Sequence, residues 1–395
     1  MLRFETARDS ILEKAARTGT ERVALSEALG RVLREDYVAT GPLPPFAQCA
    51  MDGYAVNSQQ VKPGPWLLPI VGERCAGSPA GELVPGTACR VFTGAPLPTG
   101  ADAVLVQEDA RLRDGALELT SLPAAGTHVR EAGEDLATGE LALRAGTRLG
   151  PFHLGLLASL EATTVHVARR PRVAIVCTGS ELRTAGSPQR PASIVESNGI
   201  VLAALARAAG ADAWLTPLVE DETRILQRRL RQALDGADVV LTVGGVSVGT
   251  YDVVRESMTA IGAAVEFYKV AIKPGKPLTF GRLGQKSLIG LPGNPVSAQV
   301  TAALFVVPLL RQMQGDVRAV AAPRPYLLGA PLEQHPGRRG FYRAQLEGGR
   351  VLPLSRQGSG SVVSMAEAEA LIMMDEHLAQ LPEGASVPVY VLNEL

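Results

Sequence analysis

Three times in the second half of this chain an apolar run ends abruptly in glycine. The runs are Val-Ala-Ile-Val-Cys-Thr-Gly at 173–179, Val-Val-Leu-Thr-Val-Gly-Gly-Val-Ser-Val-Gly-Thr-Tyr-Asp at 239–252, and Leu-Ile-Gly-Leu-Pro-Gly-Asn-Pro at 288–295. Short continuous runs of this kind read as strands buried on both faces, the pattern of parallel strands covered by helices. Glycine at the strand end permits positive φ and brings backbone N–H groups close to an anion. Three such junctions in one domain predict a phosphate-bearing ligand.

The segments between the junctions fit the same sheet. Residues 171–315 read as a strand at 172–177, a helix from near Asn198, a strand at 213–218, and a helix over 222–234 with Asp221 at the N-cap and Gly236 as the stop. Strands near 238–243, 265–270 and 286–290 follow, then a helix over 295–314. Strands separated by helices predict a doubly wound, mostly parallel α/β sheet whose ligand binds at the carboxyl edge, where all three glycine loops lie. The apolar stretch 296–310 is interrupted by Ser297, Gln299, Thr301 and Pro308 and reads as a core helix too short for a bilayer.

Outside this domain the texture changes. Helices are expected at 5–17, where Ala7, Ile11, Leu12 and Ala15 share a stripe, and at 25–33 and 149–160. Between them, short apolar runs at 66–71, 88–92 and 103–107, broken by Pro and Gly, describe a β-rich insertion. Alternating runs at 341–346 and 387–392 describe a small closing β-domain. The expected division is a helical linking domain at 1–40 and 141–170, a β-rich inserted domain at 41–140, the α/β domain at 171–318 and a C-terminal β-domain at 319–395.

Composition limits the partners. Lys plus Arg is 39 and Asp plus Glu is 40, a net charge of −1, which gives no nucleic-acid surface and requires any anion to be held locally. The four cysteines have no zinc spacing and the N-terminus has no signal-peptide pattern, so a reduced, cytoplasmic setting without a membrane is expected.

Several residues stand where chemistry could use them. Asp52 follows Cys-Ala-Met in a non-helical turn, either as an Asp-Gly turn bonding its own backbone or as a working carboxylate. Thr93 sits in a constrained Thr-Gly-Ala-Pro loop, and Arg130 to Asp135 packs an arginine with three carboxylates, a pattern also found on solvated faces. Glu181, Asp221 and Asp252 each follow a strand of the α/β domain, and three carboxylates at one sheet edge suit Mg²⁺ that shares its shell with water and phosphate. Lys273 and Lys276, in Lys-Pro-Gly-Lys-Pro, supply point charges for an oxyanion. The five histidines lie away from these loops, which speaks against a Ser-His or Cys-His nucleophile and for metal-assisted attack on a phosphate.

Taken in order, Pro-Phe-x-x-Cys-Ala-Met-Asp-Gly-Tyr-Ala-Val, Thr-Gly-Ala-Pro-Leu-Pro-x-Gly-Ala-Asp-Ala-Val, Arg-Glu-Ala-Gly-Glu-Asp, Gly-Gly-Val-Ser-Val-Gly, Lys-Pro-Gly-Lys-Pro and Leu-Pro-Gly-Asn-Pro-Val-Ser resemble the molybdenum insertases of molybdenum cofactor synthesis. These are the bacterial MoeA proteins and the E-domain of gephyrin and its plant counterpart. The resemblance spans nearly the whole chain. It implies a four-domain, elongated homodimer with the cleft between the α/β domain of one subunit and the Asp52-bearing domain of the other. The implied reaction takes adenylylated molybdopterin and molybdate, hydrolyses the phosphoanhydride with Mg²⁺ and releases AMP. Carried over, Asp52, Thr93, Asp135, Glu181, Asp221 and Asp252 become the catalytic set, with Asp221 and Asp252 as metal ligands and Arg130 beside them. Thr178, Gly179, Thr242, Gly244, Gly245, Val246, Ser247, Pro292, Gly293, Asn294 and Pro295 become the pterin-phosphate cradle. Lys273, Lys276, Ser297, Arg343 and Ser359 become the molybdate side. Molybdopterin adenylyltransferase and molybdoenzyme-maturation proteins are the implied partners.

The chain departs from the family pattern at Cys49, where Ser is usual, at Val243, where Ser is frequent, and at Glu369, where Asn is frequent. Two other readings compete. The α/β domain alone resembles molybdopterin adenylyltransferases, which lack the Asp52, Thr93 and Asp135 motifs. A gephyrin-like scaffold is the other, although this chain carries no second pterin domain.

Overall fold

The computed structural model describes residues 1–59, 65–245 and 253–394. The glycine-terminated runs are neighbours in space. Strands Arg172–Cys177, Val239–Val243 and Lys286–Leu291 lie side by side and parallel, and Asp212–Leu215 pairs parallel with the outer side of the first. Thr279–Leu283 and Ala264–Phe267 complete a six-stranded sheet in antiparallel register, so the doubly wound sheet is mixed at one edge. Helices cover both faces, and successive residues of one strand therefore enter different cores. Val173, Ile175 and Cys177 pack with helices Asn198–Ala208 and Pro295–Thr301, whereas Ala174 and Val176 pack with Thr223–Gly236 and Val253–Ala260.

Thr279–Leu283 is absent from the sequence expectation because Gly281 interrupts its apolar run. The glycine is a packing requirement: a Cβ there would stand 3.2 Å from the Ala264 carbonyl of the neighbouring strand. The strand expected over 213–218 stops at Leu215, and that over 265–270 stops at Phe267.

The helix beginning at Pro295 runs to Gln314 through a π turn at Ala302–Val306, just before Pro308, which has no N–H to give the ladder. At 20 residues it is long enough to cross a bilayer, contrary to the length argument from sequence. Burial decides its role, since 89% of its most apolar window is packed inside the protein.

The largest departures lie at the N-terminus. Helix Phe4–Glu13 belongs to the α/β core, where Phe4 meets Phe305 and Phe341 edge-on at 5.5 and 5.0 Å. Only the 3-10 turn Leu25–Glu27 forms where a second helix was expected, because Gly30 takes φ +73° and the chain turns into bridges from Val32 and Leu33 to Arg148 and Val167. Thr20–Ala24 pairs with Thr164–Ala168, and Tyr37–Val38 with Leu141–Leu143. Residues 20–38 and 141–168 are thus joined mainly by β pairing, with Pro151–Ser159 as their helix.

Between them stands a sheet whose order is Ala103–Val106, Gly53–Val56, Ala88–Val91, Trp66–Arg74, Ala116–Leu119 and Arg111–Arg113. The closing domain builds a third six-stranded sheet around Arg339–Glu347, and Ile272–Lys273 joins its edge in parallel with Arg339 and Gly340. The Lys-Pro-Gly-Lys-Pro motif therefore bridges the α/β domain and the last domain.

A cluster of ion pairs pins the N-terminal helix to that last domain. Arg339 donates to Glu376 at 2.6 Å and to Glu5 at 2.7 Å, and Arg3 donates to Glu376 at 2.9 Å. The Arg339 bond is the main reason that the Glu376 carboxyl falls from 4.5 to about 2. Unfolded, this carboxyl binds a proton near its ordinary value; folded, it holds the proton only near pH 2. Its stabilisation is complete above pH 4.5 and disappears as the pH falls towards 2. Glu376→Gln should lower the thermal midpoint at pH 7, and the gap to the parent protein should close between pH 4.5 and 2 in thermal scans. A gap independent of pH would refute the ionic origin.

Candidate active site

Strand order decides where a cleft opens. The helix after Arg172–Cys177 packs on one face of the sheet and the helix after Val239–Val243 on the other, so the loops leaving these neighbouring strands part at their carboxyl ends. A cavity of about 390 Å³ lies there. Thr178, Glu181, Asp221, Gly244, Gly245, Pro292, Gly293, Asn294 and Pro295 line it, so all three glycine junctions contribute. Gly244 and Gly245 take φ +89° and +62°. Gly179 turns the chain behind the wall, its N–H donating to the Val219 carbonyl at 3.0 Å, and a Cβ on it would crowd the Glu181 carboxylate at 2.8 Å.

Two helices begin at this cavity. Ser197 and Asn198 open one, and Asn294 and Pro295 open the other. The positive ends of first turns favour an anion, although Gly199 N is already given to Glu196 and Val296 N to the Ser359 carbonyl, and proline fits the second helix start because it has no N–H to waste. Asn198 Nδ2 donates to the Gly293 carbonyl at 2.9 Å, tying the first loop to the third. Its Oδ1 is buried without a hydrogen-bond partner among the described residues. Neither Asn198 nor the buried Glu196, whose Oε1 accepts from Gly199 N at 2.7 Å, was singled out from sequence as a site residue. A helix start placed at the sheet edge was the available signal for both.

Asp221 does not cap its helix. Helix Thr223–Gly236 starts two residues later without a side-chain cap, and Asp221 Oδ1 instead accepts from Thr178 Oγ1 at 2.8 Å. The carboxylate is held at the cavity wall beside Glu181. Thr242 is fully buried in its strand, outside the lining, and its Oγ1 has no partner among the described residues. Val246, Ser247 and Asp252 lie outside the described residues.

A second cavity of about 420 Å³ adjoins the first, and Pro277 walls both. Lys273, Lys276, Ser297 and Ser359 line it, together with Arg338 and Gln357, which were not among the expected site residues. Among the described residues, three cations and no carboxylate face this space, so it suits an oxyanion. Asn294 Nδ2 donates to Ser359 Oγ at 3.1 Å and Val296 N to the Ser359 carbonyl at 3.0 Å, clamping the last domain onto the helix start between the two cavities.

Arg343 is a correction to the expected oxyanion set. It is 1% exposed and absent from the lining, its guanidinium donating to the carbonyls of Arg356 at 2.7 Å and Gly358 at 3.1 Å. It shapes the loop that presents Gln357 and Ser359. Glu369 acts locally, accepting from Leu346 N at 2.8 Å.

The remaining expected residues lie in the β-rich domain and line neither cavity. Asp52 Oδ1 accepts from both the N–H and the Oγ1 of Thr93 at 2.8 Å, and these bonds, aided by Arg90, hold its carboxyl below the usual range. Arg130 and Asp135 line an open hollow of about 800 Å³ with Gln48, and Arg130 pairs with Gln48 in a short ladder. Burial, with Cys89, pushes the Cys49 thiol up to about 11, so it remains a thiol near neutral pH. Among the described residues, no group of three or more His, Cys, Asp and Glu side chains is arranged to hold a metal by itself.

The chain matches three family models: MoeA N-terminal region (domain I and II) over 2–160, probable molybdopterin binding domain over 174–312, and MoeA C-terminal region (domain IV) over 326–392. It is 37% identical to molybdopterin molybdenumtransferase 2 of Mycobacterium tuberculosis over 94% of this chain and 95% of that one. It is 34% identical to the molybdopterin molybdenumtransferase of Haemophilus influenzae over 100% of both. The crystal structure of a molybdopterin biosynthesis MoeA protein from Pyrococcus horikoshii superposes with a TM-score of 0.84 at 30% identity, covering 99% of each chain.

The loop geometry yields a test that needs no ligand. A Cβ on Gly244 would overlap the Thr178 carbonyl, whereas one on Gly30 meets nothing within 4 Å, although both glycines have positive φ. Gly30→Ala should cost only the backbone strain, about 1–2 kcal/mol, and Gly244→Ala distinctly more. Denaturant midpoints of the two variants compare them; equal losses would refute the close approach of the two loops.

Proposed function

Because this chain belongs to the molybdopterin molybdenumtransferase (MoeA) family, we propose that it inserts molybdate into adenylylated molybdopterin with hydrolysis of the phosphoanhydride and release of AMP. The observation that carries this reading is the pair of adjoining cavities: one made of glycine loops and helix starts, the other of Lys273, Lys276 and Arg338. The first suits the phosphates of the pterin nucleotide and the second a tetrahedral oxyanion, with only Pro277 and the first turn of the core helix between them.

In this reading, the Gly244–Gly245 and Pro292–Asn294 loops and the two helix starts hold the substrate phosphates without a counter-charge of their own. Lys273 and Lys276 place molybdate by charge, and Ser297 and Ser359 orient it by hydrogen bonding. Mg²⁺ fits the wall where Glu181 and Asp221 present carboxylate oxygens, a donor set suited to an ion that keeps water and phosphate oxygens in its shell. When bound there, it would neutralise the phosphoanhydride charge.

Asp52, Thr93 and Asp135 line neither cavity of their own chain, and a homodimer supplies the missing geometry by bringing this surface from a second copy against the cleft. Asp52 kept ionised by Thr93 is suited to orienting the attacking water.

Purified protein given adenylylated molybdopterin and Mg²⁺ should release AMP in the presence of molybdate. Asp52→Ala should slow that release about 100-fold or more, and Lys276→Ala should raise the molybdate concentration required. AMP formation that ignores molybdate and Asp52 would sink the proposal. Consumption of ATP to adenylylate the pterin would assign the chain to the preceding step instead.

A further inference from the structure

At the other end of the core helix, Pro295–Gln314, from the two cavities, the turn that ends it gathers arginines from separate segments. Arg148, Arg311, Arg318 and Arg324 surround a cavity of about 520 Å³, and among the described residues the carboxylates in its lining are Asp316 and Glu394. Both are already engaged: buried Asp316 accepts from Arg148 at 2.9 Å, and Glu394 pairs with Arg324 at 2.8 Å. Arg311 and Arg318 are left without a carboxylate within ion-pair distance among the described residues.

Arg311 is the more informative of the two. Among the described residues, its buried Nε has no acceptor and its Nη1 reaches the Glu394 backbone carbonyl at 3.4 Å. Burial first, and then the neighbouring Arg148, depress its pKa, with Asp316 offsetting part of the effect. Arg17 and Arg34 crowd the same turn, since a Cβ on Gly315 would collide with both. A half-buried charge kept beside like charges costs stability unless something compensates it, and an Arg cluster around a cavity matches a tetrahedral dianion that accepts paired N–H donors.

We infer that the cavity between Arg148, Arg311, Arg318 and Arg324 is a second anion site, separate from the active cleft, that takes a phosphate dianion, free or as a phosphate monoester. Its walls come from the segment leading into Pro151–Ser159, the end of the core helix, and the first strand and last turn of the closing domain. Occupancy would therefore cross-link three parts of the fold and stabilise their junction.

The test is calorimetric titration of the full chain with inorganic phosphate and with AMP at constant ionic strength. A Lys273→Ala/Lys276→Ala background silences the oxyanion cavity, and any binding that survives both arginine substitutions is assigned to the glycine-loop cavity. Arg318→Gln removes an exposed charge and leaves folding intact; Arg311→Gln removes the half-buried one. Each should weaken binding at least tenfold, and bound phosphate should raise the thermal midpoint of the background protein but not of the arginine variants. Equal affinity for phosphate and AMP identifies the free dianion as sufficient, and tighter AMP binding that is lost with Arg318→Gln identifies a nucleotide. Absence of binding, or binding of both probes that ignores the arginine substitutions, overturns the inference.

Discussion

Parallel pairing of Arg172–Cys177, Val239–Val243 and Lys286–Leu291 is the constraint from which the rest follows. Parallel strands need crossovers, and with both faces buried the crossovers must be helices. Because the helices after the first two of these strands lie on opposite faces, the loops between must separate, and a cleft is unavoidable at the carboxyl edge. Glycines then serve approach rather than flexibility: Gly244 lies against the Thr178 carbonyl, and a Cβ on Gly293 would come within 3.4 Å of Gly244 Cα. Larger residues would force the three loops apart and leave their N–H groups without a common focus.

The second cavity depends on a different join. Among the described residues, Ile272–Lys273 is the one strand of the α/β segment that adds to the sheet of the last domain, and Ser359 is bonded to Asn294 and Val296 at the start of the core helix. Lys273, Lys276 and Arg338 converge where those bonds fix one domain on the other. Buried Arg343 supports the arrangement from behind, giving its donors to the loop carbonyls of Arg356 and Gly358 rather than to a ligand. Charge in this region is thus used in two ways, exposed to attract and buried to hold a backbone.

Legibility of these features in the sequence followed the range of the interactions. The strand–glycine junctions, the Asn198 and Pro295 helix starts and the lysine motif are local patterns, and each lies where a sheet edge requires. Thr279–Leu283 was obscured by Gly281, and the helix expected at 25–33 lost to β pairing across more than a hundred residues. Asp221 read as a helix cap because spacing cannot reveal that Thr178, 43 residues away, offers a hydroxyl at 2.8 Å. Arg338 and Gln357 were not among the residues placed on the oxyanion side, and Arg343, which the resemblance placed there, proved to be internal.

What the sequence determined by itself was chemistry available at strand ends: which residues are carboxylates, cations, hydroxyls or glycines, and that a doubly wound sheet would bring the glycine loops to one edge. Periodicity and turn chemistry depend on residues a few positions apart, and those are written in order. Only the tertiary structure decided that two cavities share a wall, that Arg343 faces inward while Arg338 faces the oxyanion space, and that Asp52 and Thr93 bond to each other outside both cavities. Those outcomes depend on which distant surfaces bury one another, and burial is a property of the packed chain, not of any stretch of it.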